Sequence, residues 1–412
     1  MPTPAHRLIP MRGRDPDEQH RAATPLELLF DLTFVVAFGQ AGNELAHALA
    51  SHHVGSGLAA FGVSVFAICW AWINFSWFAS AYDTDDWAFR VLTMVQMGGV
   101  IVMALGLPNL FAGFAHGEFD GTVMIVGYVV MRVALIGQWL RAARQDPARR
   151  RCAMAYVLTL AVGQVLWVLL LVPHLSTGGF FALAAVPAAV ELAGPYLAES
   201  RLTGTPWHAH HVAERYSLLV IITLGETILG TVAAMSALVH DPDVGWSTDA
   251  VIVLAAGVVL TFGMWWAYFV IPWADILHTH RERSFFWGYG HMLIFGGIAA
   301  TGAGLHVAQY LVEGETTLGT TGTLVTVVVP FAVFAGMLYL MYAVSMRAAD
   351  PFHIALVVAT AAVLGAGLLA TAAGASLPVG LAVVALAPLV TVVGYETLGH
   401  RHLDDHLERL RS

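Results

Sequence analysis

Glu214-Arg-Tyr-Ser-Leu-Leu-Val-Ile-Ile-Thr-Leu-Gly-Glu-Thr-Ile-Leu-Gly230 sets one carboxylate, Glu226, near the middle of a long apolar helix. An ionisable group in hydrocarbon costs roughly 2.5–3.5 kcal/mol on insertion scales, so by default it marks an ion, proton or substrate path. An earlier stretch, Glu27-Leu-Leu-Phe-Asp-Leu-Thr-Phe-Val-Val-Ala-Phe-Gly-Gln-Ala-Gly42, reads as a second writing of the same helix, with Gly39-Gln40 where the later one has Gly225-Glu226.

Around these two helices the whole chain is apolar. Of 412 residues, 58% are hydrophobic and 11% charged, and the mean hydropathy is +0.71, far from a soluble domain. Stretches able to cross a hydrocarbon core of about 30 Å fall near 28–48, 57–79, 91–112, 121–141, 153–172, 179–198, 213–238, 248–271, 287–311, 319–346, 353–373 and 377–397. The fold expected is an all-α integral membrane protein with about twelve transmembrane helices. The first two spans are divided by Ser51-His52-His53-Val54-Gly55-Ser56-Gly57, the last two only by Gly374-Ala375-Ser376-Leu377-Pro378.

All 19 basic residues are arginine, and 18 of them occupy alternate connections. Arg7, Arg12, Arg14 and Arg21 precede the first span; Arg90 follows the second; Arg141, Arg144, Arg149, Arg150 and Arg151 follow the fourth. Arg201 and Arg215 flank the loop between the sixth and seventh, Arg281 and Arg283 follow the eighth, Arg347 the tenth, and Arg401, Arg409 and Arg411 lie in the tail. The positive-inside rule then puts both termini in the cytoplasm and supports an even number of spans. The nineteenth, Arg132, sits inside the fourth span. The first 24 residues are polar and lack the apolar core of a cleavable signal, so the first helix is expected to serve as its own insertion signal. Two cysteines, Cys69 and Cys152, offer no disulfide framework, and a net charge of −9 argues against a nucleic-acid partner.

Aligning Glu27 with Glu214 brings further echoes into order: Trp70-Ala71-Trp72 with Trp266-Ala267-Tyr268, and Met94 with Gly98-Gly99 against Met292 with Gly296-Gly297. Three successive helices echo three others, although the spacings drift. The organisation expected is a polar tail over 1–24, a six-helix repeat over 25–200, a linker over 201–212, a second six-helix repeat over 213–398 and a tail over 399–412. Six helices per half make the repeats parallel, as in the halves of some transporters.

The intramembrane polar residues carry the functional reading. Twelve residues separate Glu214 from Glu226, a rise of about 18 Å, which places Glu226 near the midplane with Thr223 and Gly230 on its face. A small-residue face allows close helix approach or room for water and an ion. The alternative is a structural ion pair with Arg132. In the first helix Thr33, Gln40, Glu44 and His47 form one stripe, while Asp31 lies off it, one turn inside the helix, as a cap or a partner for an arginine such as Arg215. Glu191 stands between Pro187 and Pro195, where an interrupted helix would free backbone carbonyls; a kinked packing helix is the alternative. Glu396, its rough counterpart, lies closer to the end of the last span. His208, His210 and His211 invite a zinc reading, but without nearby cysteines or a His-Glu-x-x-His pattern they read as a surface cluster, as do His400, His402 and His406. No phosphate loop, nucleophile elbow or kinase set occurs, and no cofactor or metal is expected.

The opening Glu27-Leu-Leu-Phe30-Asp-Leu-Thr-Phe-Val-Val-Ala, with His211-Val-Ala-Glu214-Arg215-Tyr-Ser-Leu and Leu-Gly225-Glu-Thr-Ile-Leu-Gly, resembles the bacterial low temperature requirement protein A family from about residue 20 to 400. That family pairs Glu-Leu-Phe-Phe-Asp-Leu-Val-Phe with Glu-Arg-Phe-Gly-Leu and Leu-Gly-Glu-Ser; here Leu29, Thr33, Tyr216-Ser217 and Thr227 depart from it. The resemblance implies a growth phenotype in the cold rather than a biochemical activity. Phe30-Asp31-Leu32-Thr33-Phe34-Val35-Val36-Ala37 is also similar to the Phe-Ser-Asp-x-x-Phe-Ala opening of a six-helix potassium-channel family, without its Ser and with no Asp in the second copy.

The expectation is a proton-coupled secondary transporter of a small solute or ion, with its site between the halves and Glu226 binding the coupling ion. A cation channel lined by the first and seventh spans is the second reading. A membrane enzyme or sensor using His208, His211 and Glu214 at the surface is the third, although no catalytic constellation is visible. The expected partners are the lipid bilayer and the transported solute, with self-association left open.

Overall fold

The computed structural model describes residues 8–18, 21–240, 246–346 and 351–399. Arg7, Arg347, Arg401, Arg409, Arg411, His400, His402 and His406 fall outside the described residues. Twelve helices are long and apolar enough to cross a membrane: α1 (Pro25–Ala50), α2 (Val54–Tyr82), α3 (Trp87–Ala115), α4 (Thr122–Gln145), α5 (Pro147–Leu169), α6 (Thr177–Arg201), α7 (Ala209–His240), α8 (Thr248–Thr279), α9 (Arg281–Val312), α10 (Gly319–Met346), α11 (Pro351–Ala372) and α12 (Leu377–Gly399). Among the described residues there is no strand, only an isolated bridge between Glu118 and Ser176. Helices suit this setting because they satisfy every backbone donor and acceptor within the segment.

Local chemistry explains where these helices begin. At α1, Thr24 and Glu27 form a reciprocal capping box: the Glu27 side chain accepts from the Thr24 N–H (2.7 Å) and the Thr24 hydroxyl accepts from the Glu27 N–H (3.3 Å). Asp86 caps α3 by accepting from the Phe89 N–H (3.0 Å), and Ser176 caps α6 by accepting from Gly179 (3.1 Å). The two divisions read from the sequence hold. His52 turns the chain with φ 61° between α1 and α2, and Gly374, with φ 101°, turns it between α11 and α12.

Breaks inside spans fall elsewhere than expected. Span α6 runs unbroken through Pro187 and Pro195, so of the two readings around Glu191 the interrupted helix is ruled out and the continuous packing helix stands. The breaks instead lie in α3 between Leu105 and Leu107, in α8 between Phe269 and Trp273, and in α12 between Val384 and Ala387. Each has a proline within it or just after it: Pro108, Pro272 and Pro388. A proline disfavours helical geometry in the residue before it. Gly98-Gly99 and Gly296-Gly297 both lie within continuous helix.

The chain divides into two compact units, Met1–Glu44 with Gly55–Arg215, and Leu45–Val54 with Tyr216–Ser412. In the first unit α3 packs closely on α4 at Gly99 and Gly127, where a Cβ on Gly99 would come 2.7 Å from the Gly127 carbonyl oxygen. A segment before α1 closes over one end of this unit: Ile9 N–H donates to Asp86 (3.0 Å), Met11 N–H to Gln145 (2.6 Å), Gly13 N–H to Asp146 (3.2 Å) and Arg14 N–H to the Ala81 carbonyl (3.0 Å). In the second unit α9 packs on α10, and a Cβ on Gly297 would lie 3.0 Å from the Pro330 carbonyl. The span with the largest share of buried residues is α2 in the first unit and α9 in the second.

Candidate functional site

Four carboxylates within the described spans are buried: Glu27, Asp31, Glu191 and Glu226. Their surroundings differ in kind.

Glu27 and Asp31 belong to an ionic cluster in the first unit. One turn of α1 separates them, so both face the first turns of α7, which present His211 and Arg215 one turn apart. Arg215 is wholly buried and holds Asp31 with two bonds, Nε to Oδ2 at 3.0 Å and Nη2 to Oδ1 at 2.5 Å, a fork that only a guanidinium makes. Its Nη1 stands 3.1 Å from Glu27 Oε1. Trp72 Nε1–H donates to Asp31 (2.6 Å), and the Arg215 guanidinium lies over the Trp72 ring at 5.7 Å. His211 Nε2 faces both Glu27 oxygens at 3.2 and 3.3 Å. Arg21 reaches Glu27 at 3.8 Å and Asp83 at 3.9 Å, and donates to the Ala79 carbonyl (3.0 Å). Asp31, expected as a cap or arginine partner, is therefore the arginine partner. Phe30 beside it packs on Phe75 with ring centroids 3.9 Å apart, fixing the helix pair.

Arg132 and Glu191 form a second buried centre in the first unit. Tyr128 bridges them, donating its hydroxyl hydrogen to Glu191 (2.5 Å) and accepting from Arg132 Nη2 (2.6 Å), with the charges 3.9 Å apart. Gln164 donates to the other Glu191 oxygen (2.9 Å). Arg132, the alternative partner for Glu226, is thus committed to Glu191, and Glu191 is held by side chains.

Glu226, in the second unit, is 6% exposed and its carboxylate has no ion pair or hydrogen bond among the described residues. Its helix is pinned on both sides. Gly302 of α9 lies against the Glu226 backbone, where a Cβ would come 2.5 Å from the Glu226 carbonyl oxygen. Thr227 and Thr261 of α8 share a hydroxyl hydrogen bond (2.8 Å). Thr223 spends its hydroxyl on the Leu219 and Val220 carbonyls (3.0 Å each), so it does not serve Glu226. Gly225 meets open space.

The remaining expected residues are less enclosed. Gln40 donates to Glu44 (3.0 Å), both half-buried, and His47 is exposed. Glu214 is half-buried and accepts from the Ala23 N–H. His208 is buried: Nδ1 accepts from the His211 N–H (3.2 Å), so Nε2–H donates to the Glu18 carbonyl (2.8 Å), and burial lowers its basicity. Among the described residues no group of three His, Cys, Asp or Glu is placed to hold a metal. Sequence reasoning missed Asp83 and the cluster role of Arg21; their only signal is position, just past α2 and just before α1. A cavity of about 310 Å³ in the first unit is lined by apolar residues, among them Val63, Phe66, Trp167, Phe180 and Phe181; Trp167 also packs on Tyr128 of the Arg132–Glu191 centre, with ring centroids 6.4 Å apart.

The family described as Bacterial low temperature requirement A protein (LtrA) matches residues 22–388. An uncharacterized protein of Rhizobium meliloti (strain 1021) is 31% identical over 305 residues, which is 70% of this chain and 69% of that protein. No solved structure matches the chain.

Proposed function

The chain belongs to the bacterial low temperature requirement A family of multi-pass membrane proteins, and on that footing we propose that it is a secondary transporter of a small solute or ion, driven by protons, with Glu226 as the proton-carrying carboxylate. One observation carries this reading. Of the four buried carboxylates in the described spans, three are compensated by arginine, while Glu226 has neither counter-charge nor hydrogen-bond donor among the described residues. A membrane helix that keeps such a group holds it neutral or receives a cation there, and switching between those states is what coupling requires. The tight crossing at Gly302 supports the reading, because it fixes where the carboxylate stands.

The protein resides in the bacterial inner membrane with both termini cytoplasmic, a reading supported by arginines confined to alternate connections. The two six-helix halves descend from one duplicated unit, supported by the sequence echoes and by glycine-mediated packing of the third helix on the fourth in each unit. Uptake of labelled solutes into proteoliposomes under an imposed proton gradient tests the transport reading. Saturable uptake that collapses with a protonophore is expected; current far above any alternating cycle would replace it with the channel.

A further inference from the structure

The ionic cluster of the first unit does not balance. Three carboxylates, Glu27, Asp31 and Asp83, face two guanidinium groups, Arg21 and Arg215, with the His211 imidazole between them, and none of the six is more than 7% exposed. With a neutral imidazole the set carries one excess negative charge, and a buried uncompensated charge is strongly unfavourable.

We propose that this cluster is a proton-binding site that takes up one proton, held on the Asp83 carboxyl.

The hydrogen bonds decide which group accepts it. Asp31 is saturated by the Arg215 fork and Trp72. Glu27 accepts the Thr24 N–H at 2.7 Å and His211 at 3.3 Å on one oxygen, and Arg215 stands 3.1 Å from the other as an ion-pair partner. Among the described residues Asp83 has the Asp85 N–H at 2.8 Å and Arg21 at 3.9 Å and no other partner, so it is the least supported of the three anions. His211 is not the carrier. Its Nε2–H already serves Glu27, and its Nδ1 is buried with no partner among the described residues, so a second N–H would place a cationic donor where none of them accepts it.

Among the described residues, the charges bearing most on Asp83 come from three places. From the segment before α1 comes Arg21; from α1 comes Glu27, whose charge disfavours a second anion; from the connection after α2 comes Asp85, itself paired with Arg90 at 2.7 Å. The α7 groups His211 and Arg215 bear on Glu27 and Asp31. Burial first, and the Glu27 charge second, push the Asp83 carboxyl up to about 6, with Arg21 opposing. A proton from water adds to a carboxylate oxygen and no other bond changes. This site is separate from Glu226 and does not rest on the transport reading.

The test is infrared difference spectroscopy of the reconstituted full-length protein between pH 5 and pH 8, with aspartate carboxyl groups carrying carbon-13. The expected result is a protonated-carboxyl band at pH 5 that moves with the aspartate label and is lost in Asp83→Asn. A titrating Glu226 would give a band that the aspartate label leaves in place, so the two readings fail separately. If Asp83→Asn does not fold, Asp83→Glu takes its place, and the band should then leave the labelled set. An aspartate-labelled band that persists in either variant, its absence from the wild type, or an imidazole change lost in His211→Gln would overturn the proposal.

Discussion

Replacing Arg215 by glutamine should cost this protein about 3 kcal/mol of folding free energy. The change strips Asp31 of both guanidinium bonds, at 3.0 and 2.5 Å, leaving it Trp72 alone, and removes the 3.1 Å contact from Glu27. Breaking a buried ion pair by deleting one partner costs about 3–5 kcal/mol, and the glutamine amide returns one hydrogen bond worth about 1 kcal/mol. The loss corresponds to roughly a hundredfold in the folding equilibrium. Equilibrium unfolding in mixed detergent micelles measures it. Asp31→Asn in the Arg215→Gln background removes the stranded charge, so the double variant should be more stable than the sum of the single losses by at least about 1 kcal/mol. If Arg215→Gln lies within about 0.5 kcal/mol of the wild type, the range of an ordinary surface change, or if the two losses simply add, the cluster is not the ionic lock described.

Two glycines of the second unit should respond in opposite directions. Gly302→Ala puts a methyl 2.5 Å from the Glu226 carbonyl oxygen and should cost about 1–3 kcal/mol by overpacking, while Gly225→Ala, which meets open space, should gain about 0.5–1 kcal/mol from helix propensity; thermal unfolding reads both. Acid stability should depend on Asp86. Burial alone would raise its carboxyl, but hydrogen bonds from Arg141, the Phe89 N–H and the Ile9 N–H outweigh burial and bring it from 3.8 down to about 2. A lowered carboxyl contributes stability that is present above the unfolded value and lost as pH falls through the folded one. Here that is about 2 kcal/mol, lost between about pH 4 and pH 2. Arg141→Gln should move acid unfolding to higher pH, and an unchanged acid limb would contradict the assignment.

The membrane class and the twelve spans were legible because hydrophobic length needs no tertiary knowledge: a run that can span hydrocarbon is apolar wherever it packs. Span ends were read less well. Helix α7 begins at Ala209, four residues before the apolar run, because His208 caps a polar first turn. Breaks were harder still. Pro187 and Pro195 sit inside intact helix, while Pro108, Pro272 and Pro388 mark real breaks, and a lone proline does not say which neighbours will supply the missing bonds. At the candidate sites, each ionisable residue in a span could be found, but not its partner. Arg132 was matched by depth to Glu226, whereas Tyr128 delivers it to Glu191, and depth along a helix does not fix azimuth. Asp83 escaped notice because a loop aspartate is ordinarily solvated; only the close approach of Arg21 and Glu27 makes it part of a buried set.

The most direct test of proton carriage by Glu226 is a pH jump applied to proteoliposomes adsorbed on a solid-supported membrane, comparing wild type with Glu226→Gln. The variant keeps the shape of the side chain and removes its titration. A Glu44→Gln control makes the same change at a half-buried position already bonded to Gln40. The account predicts a transient charge displacement in the wild type and in the control, and its loss in a folded Glu226→Gln protein. An equal displacement in Glu226→Gln would contradict it.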